Sequence, residues 1–266
     1  MPLVPRLALV GLGLGPSGMP MRGLELALRA DAVFLESYTA LPPEPPERLA
    51  SLLGRPVEPL GRADVEDGRR LLEAARRGLC VLLVPGDPLS ATTHVSLRRQ
   101  AAAAHVTCEV VPAASILTAA PGAAGLSHYK FGRTTTLVLP RPGFAPESPF
   151  DALAANLRVG LHTLVLLDLS DDPALGGAPT APRCMTATEG LRWLLDVAAR
   201  RAAPEFGPDT PTVVVARAGA PDQDVVAGTA GQLAALDFGP PMHTLLVPGR
   251  LSDEERDALA ACARAV

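Results

Sequence analysis

Six apolar residues in unbroken succession, Leu79 to Val84, run into Pro85-Gly86-Asp87-Pro88-Leu89-Ser90 and then Ala91-Thr92-Thr93-His94. A strand without polar alternation is buried on both faces, the condition of a parallel sheet held between helices. Two prolines around one Gly-Asp pair make a stiff turn that offers a single acidic side chain and a glycine open to close approach. Thr92 or Thr93 can cap a following helix with Leu97, Ala101 and Ala104 turned inward. A rigid turn at the carboxyl end of a buried strand is where open α/β sheets receive ligands.

The surrounding chain keeps the same rhythm. Strands are expected at Leu7–Val10, Ala32–Glu36, Val57–Pro59 and Val106–Val111. Helices are expected at Arg22–Arg29, Pro46–Leu53 and Asp64–Arg77. Such alternation implies a mostly parallel sheet covered on both faces. After Val111 the texture changes to longer loops. A short helix is expected at Ser115–Ala120. Strands follow at Thr134–Leu139, Thr163–Leu169, Thr212–Ala218, Val225–Gly228 and His243–Val247. Helices are expected at Phe150–Leu157, Thr186–Arg201 and from Ser252 onward. The fold class is therefore α/β with two α/β domains, 1–111 with a mostly parallel sheet and 112–266 with a mixed one. Asp171–Arg183, rich in proline and glycine, reads as a mobile surface loop.

Composition narrows the function. Of 266 residues, 48% are apolar, which supplies a substantial core, and the net charge of −4 is wrong for a chain whose main task is gripping nucleic acid. No apolar run approaches the ~20 residues of a membrane span. The opening Met1 to Arg6 lacks the build of a secretory signal. Cys80, Cys108, Cys184 and Cys262 show no Cys-x-x-Cys spacing, so neither a metal site nor a disulfide framework is expected, and a cytoplasmic location follows. Lys130 is the only lysine among 24 basic residues. It is either a solvated ammonium or a compact cation for a substrate carboxylate.

Gly13-x-Gly15-x-x-Gly18 formally matches a dinucleotide loop, with Glu36 where a ribose-binding acid would stand. Against this, Pro16 stiffens the turn and Met19-Pro20 delays the helix whose N-terminus would face a pyrophosphate. Other small or polar strand ends are Ala114-Ser115-Ile116, Leu166-Leu167-Asp168 and Ala216-Arg217-Ala218-Gly219. If the two sheets face each other, these line a cleft fit for a nucleoside-sized ligand. His94, His105, His128, His162 and His243 have no metal-pair spacing. Gly-x-Ser-x-Gly and Gly-x-x-x-x-Gly-Lys runs are absent, which argues against common hydrolases and nucleoside triphosphatases.

Taken together, Gly11-Leu12-Gly13-Leu14, Glu36-Ser37-Tyr38-Thr39, Pro85 to Leu89, Ala91-Thr92-Thr93-His94, Tyr129-Lys130-Phe131-Gly132, Gly160-Leu161-His162-Thr163-Leu164, Ala216 to Gly219 and His243 to Leu251 resemble the diphthine synthases. The resemblance runs in order over almost the whole chain. It departs at Gly15–Met21, where that family more often has acidic residues and an Asp-Ile-Thr run, and at Ser90, where a branched apolar residue is common. It implies the tetrapyrrole-methylase-like fold, with S-adenosyl-L-methionine in the cleft between two domains and a homodimeric assembly. The implied reaction is repeated methylation of the amine on a modified histidine of translation elongation factor 2, giving diphthine for diphthamide biosynthesis. Carried over by position, it implies cofactor contacts at Leu14, Asp87, Ser90, Ser115, Ile116, Leu167, Ala218 and His243. It implies no metal and leaves any catalytic base unassigned. A tetrapyrrole-precursor methyltransferase, a dinucleotide-dependent dehydrogenase and a non-catalytic cofactor-sensing module are the competing readings.

Overall fold

The computed structural model describes residues 6–15, 17–178 and 181–263. Met1 to Pro5 and Pro16, which figured in the reading of the opening and of the first loop, lie outside the described residues. The chain divides into two compact units, Met1–Ile116 and Leu117–Val266.

The first unit runs β1 (Arg6–Gly11), α1 (Met21–Arg29), β2 (Ala32–Glu36), α2 (Pro46–Leu53), β3 (Glu58–Leu60), α3 (Arg62–Asp67), α4 (Arg69–Arg77), β4 (Leu79–Val84), α5 (Val95–Ala103) and β5 (Thr107–Val111). Its five strands pair in the order β3-β2-β4-β1-β5, all parallel. The apolar runs explain why. On β1 and β4, Leu7, Leu9, Leu82 and Val84 enter one core with Leu71 and Leu97. Ala8, Val10, Val81 and Leu83 enter another with Leu26, Leu49 and Leu53. The sheet is thus buried on both faces, as the missing alternation requires.

The helix expected over Asp64–Arg77 is two helices. Gly68 takes φ +71° between α3 and α4, and a Cβ there would fall 2.2 Å from the Gln100 side chain. The helix after the Pro85 turn begins at Val95. Thr92 caps nothing there; its hydroxyl donates to Pro88 O at 2.7 Å.

Helix α6 (Ile116–Ala123) spans the division. The second unit continues with β6 (Thr135–Leu137), α7 (Ser148–Arg158), β7 (Thr163–Leu167), β8 (Leu169–Ser170), β9 (Arg183–Cys184), α8 (Ala187–Arg201), β10 (Pro211–Ala216), β11 (Asp224–Thr229), α9 (Ala230–Leu233), β12 (His243–Val247) and α10 (Asp253–Ala261). Its main sheet has the order β11-β10-β12-β7-β6 and is mixed: β6 and β7 are parallel and the other neighbours antiparallel. Val165, Leu167, Val214, Leu245 and Val247 pack with Phe150, Leu153, Leu191 and Leu194 of α7 and α8. Capping boxes at Thr186/Glu189 and Ser252/Glu255 start α8 and α10 where the sequence pattern places them.

The strand expected over Thr163–Leu169 is interrupted at Asp168, whose carbonyl accepts from Met185 N at 2.8 Å. The segment 171–183 carries a short 3₁₀ turn at Pro173–Leu175 and ends by pairing β9 with β8; Pro179 and Thr180 within it lie outside the described residues. Among the described residues no helix is long and apolar enough to cross a membrane.

Candidate cofactor-binding loops

In the first sheet β1 and β4 are neighbours whose connections leave in opposite directions, β1 toward β2 and β4 toward β5. Such a switch point leaves a crevice beyond the carboxyl ends. The two loops there are joined. Gly13 N–H donates to Gly86 O at 3.2 Å, and Gly86 N–H returns to Gly13 O at 2.9 Å. Both glycines have positive φ, +70° and +68°. A Cβ on Gly11 would strike Ala113 Cβ and Gly86 O, each at 2.6 Å, so this part of the crossing tolerates only glycine. Gly86 is different. A Cβ there meets nothing nearer than Ala114 O and Leu14 Cδ2, both at 3.9 Å. The space over Gly86 is open and bordered by a leucine side chain and a carbonyl.

Asp87 organises the rest. Its Oδ1 accepts from Leu89 N–H at 3.0 Å and from the Ser90 hydroxyl at 2.9 Å. Its Oδ2 accepts from Ala113 N–H at 3.2 Å. One carboxylate therefore shapes its own turn and ties it to the loop after β5, which leads to the buried Ser115 and to Ile116 at the start of α6. Leu14, Asp87, Ser90, Ser115 and Ile116 thus belong to three loops at one end of one sheet.

In the second unit Leu167 ends β7, His243 begins the antiparallel β12, and Ala218 follows β10, whose Ala216 pairs with His243. These three residues lie at one end of three adjacent strands. His243 is 5% exposed, and both ring nitrogens are engaged: Nδ1 accepts from Ala187 N–H at 3.2 Å, and Nε2–H donates to Pro240 O at 2.9 Å. Burial, with Arg217 nearby, holds its pKa below the usual imidazole value despite the hydrogen bond to Pro240. The ring is neutral, and what it offers a ligand is its apolar face. Arg217 donates to Phe238 O at 2.6 Å and to Pro240 O at 3.0 Å, and so fixes the same carbonyl that His243 uses. Asp168 accepts from Leu139 N–H at 2.9 Å.

Two expectations change. Glu36 is wholly buried and turned onto its own loop, accepting from Tyr38 N–H, from Thr39 N–H at 2.7 Å and from the Thr39 hydroxyl. It has no oxygen to give a ribose, and α1 starts only at Met21. The dinucleotide fingerprint does not assemble. Lys130 pairs with Glu255, whose carboxylate also accepts from Ser127 N–H and His162 Nε2 at 3.0 Å and from Ser252 N–H at 2.8 Å. Burial alone would raise the Glu255 pKa, but these donors hold it well below the usual carboxylate range. This cluster flanks the start of β7, at the opposite end of that strand from Leu167. Lys130 is therefore not the freely solvated ammonium that one reading of the sequence allows; it is an ion-pair partner within the second unit.

Tyr38 and His94 have no role that their places in the sequence suggest. The Tyr38 hydroxyl lies 3.3 Å from His94 Nε2, and His94 Nδ1 lies 2.9 Å from Pro88 O. Among the described residues no group of three His, Cys, Asp or Glu side chains is arranged to hold a metal ion.

Among the described residues, small-residue loops lie at the strand ends, and Asp87, His94, Asp168 and His243 are each held by hydrogen bonds. The profile of the tetrapyrrole (corrin/porphyrin) methylases matches residues 6–234, and the chain belongs to that family. Diphthine synthases are among its relatives. The one from Methanocaldococcus jannaschii is 40% identical over 95% of this chain and 97% of its own. The diphthine methyl ester synthase of Aspergillus fumigatus is 38% identical over 92% of this chain and 88% of its own. A crystal structure of diphthine synthase superposes with a TM-score of 0.84 at 33% identity, over 97% of this chain and 95% of that one.

Proposed function

We propose that this chain is a diphthine synthase. It transfers methyl groups from S-adenosylmethionine to the amine of the 3-amino-3-carboxypropyl group on a histidine of translation elongation factor 2. The observation that carries this reading is the 40% identity to a diphthine synthase over nearly the full length of both chains. The open space over Gly86, bordered by Leu14 and Ala114, supports it by leaving room for a ligand where the sheet presents its loops. Leu14, Asp87, Ser90, Ser115 and Ile116 of the first unit, with Leu167, Ala218 and His243 of the second, would hold the cofactor.

When bound, S-adenosylmethionine supplies a methyl group already activated by its sulfonium. The protein's tasks are then to bind, to orient the amine in line with the methyl carbon and sulfur, and to exclude water. Asp87 shapes the first loop. Arg217 and His243 fix the second group through Pro240 O. Asp87, His94, Asp168 and His243 each already hold a hydrogen-bond partner, and none of them is assigned as the base that takes the amine's proton.

The test is mass spectrometry of elongation factor 2 bearing the 3-amino-3-carboxypropyl histidine, incubated with this protein and S-adenosylmethionine. Stepwise addition of up to three methyl groups to that residue is expected. A fourth, lost on mild alkaline hydrolysis, would assign the methyl ester activity named in the Aspergillus relative. No addition, alongside turnover of a tetrapyrrole precursor, would move the chain to the other branch of its family.

A further inference from the structure

The loop after β2 and the loop after β4 are joined by hydrogen bonds in series. Glu36, buried at the end of β2, fixes the backbone of Tyr38 and Thr39. The Tyr38 ring lies under the Arg62 guanidinium, 4.7 Å from its centroid, and burial raises its phenol pKa, so the hydroxyl stays a donor. Its hydroxyl reaches His94 Nε2, and His94 Nδ1 reaches Pro88 O. The directions are fixed by chemistry. A carbonyl only accepts, so Nδ1 carries the hydrogen, and in the neutral ring Nε2 is left to accept from the phenol, which also has the Thr93 side chain beside it. His94 is 1% exposed, so bulk water does not reach the ring.

Pro88 O is where this series ends, and it also receives the Thr92 hydroxyl at 2.7 Å. Pro88 follows Asp87 directly and Ala91 holds φ +58°, a left-handed conformation costly for alanine. A turn with that conformation, and with no backbone donor at either proline, depends on side chains to hold it.

We propose that His94 and Tyr38 are positioning residues of the cofactor site: by anchoring Pro88 O to the β2 loop they keep the Asp87 turn in its binding shape. The inference rests on reading Pro85–Ser90 as a cofactor loop. It predicts an effect on cofactor affinity rather than on the chemical step.

The experiment is calorimetric titration of S-adenosylhomocysteine into the wild type and the variants His94→Leu, His94→Asn and Tyr38→Phe. Steady-state kinetics and thermal unfolding are measured in parallel. His94→Leu is expected to weaken binding about tenfold and Tyr38→Phe about threefold, as loss of a buried hydrogen bond requires. KM for S-adenosylmethionine should rise alike and kcat stay within about twofold. His94→Asn, whose amide N–H falls near the place of Nδ1–H, should recover most of the affinity. Should His94→Leu fail to fold, Tyr38→Phe, which removes one oxygen, decides the matter. Unchanged affinity in a folded His94→Leu or in Tyr38→Phe, whatever the melting temperature does, overturns the proposal. A wild type that does not bind S-adenosylhomocysteine overturns the cofactor reading, and this inference with it.

Discussion

Two buried carboxylates, Glu36 and Glu255, are built alike and do different work. Each accepts backbone N–H groups, Glu36 two from its own turn and Glu255 one from its own turn and one from Ser127, and near each stands a buried histidine with both ring nitrogens engaged. Around Glu36 the donors are neutral, and the cluster ends on Pro88 O beside the Asp87 turn. Around Glu255 there is a cation, Lys130. His162, whose Nδ1 accepts from Gly249 N–H at 2.8 Å, joins the loop before α10 to the start of β7. The first cluster holds a loop at the carboxyl end of a parallel sheet. The second fastens the last helix to the opposite end of a strand from Leu167. Local chemistry does not separate the two; the end of the strand at which each sits does.

Damage to the second cluster should appear as lost stability, and damage near the first as lost binding. The largest effect is expected for Glu255→Ala. It strands Lys130 and leaves the His162, Ser127 and Ser252 donors unpaired, and should lower stability by about 3–5 kcal/mol in urea unfolding. Affinity for S-adenosylhomocysteine, measured where the variant is still folded, should be unchanged. A large loss of affinity would erase the contrast.

Asp87→Ala is next. Losing three accepted hydrogen bonds at the turn should weaken cofactor binding by about 1.5–3 kcal/mol with the fold retained. Equal affinity by calorimetry would reduce Asp87 to a local cap. Lys130→Ala should cost about 1–2 kcal/mol of stability, less than a fully buried pair because a third of the lysine side chain meets water. A raised KM for the protein substrate at unchanged stability would restore Lys130 to a substrate role. Gly86→Ala should cost only about 1 kcal/mol of stability, from its φ of +68°. Its methyl enters the open space beside Leu14, so affinity should fall more than stability does.

Acid should act on the two ends of β7 in turn. His243 has a folded pKa below its ordinary 6.5, so the unfolded chain takes that proton first. The stability it contributes is present above about pH 6.5 and is lost as pH falls below that value. Glu255, likewise lowered from 4.5, contributes stability that is present above about pH 4.5 and lost on further acidification. His243→Gln should flatten the first decline and Glu255→Gln the second, read as urea midpoints across pH.

Much of the architecture was legible because burial writes itself into sequence. The unalternating Leu79–Val84 and the capping residues Thr186 and Ser252 place β4, α8 and α10 directly. Gly68 was not read as a helix break, because one glycine within a periodic run is compatible with an unbroken helix. Asp168 marks a strand end, yet the apolar pattern continues through it to Leu169 and hides the break. The loops of the site were legible as places: glycines and prolines after apolar strands mark ligand ends. The partners were not. That Asp87 reaches Ala113, that Lys130 pairs with Glu255, and that Tyr38 meets His94 are contacts across 26, 125 and 56 positions. They exist only once the strand order is known. Glu36 shows the cost of reading spacing alone: its position fits a ribose acid, and its hydrogen bonds forbid that role.

The proposed function places the methyl donor on the loops after β1, β4 and β5. A crystal structure with S-adenosylhomocysteine tests it most directly. The ligand is expected over Gly86, against Leu14 and Ala114, with the Asp87 carboxylate still bridging Ser90 and Ala113. Density lying extended along Gly13–Gly18 and leaving Gly86 uncovered would contradict it.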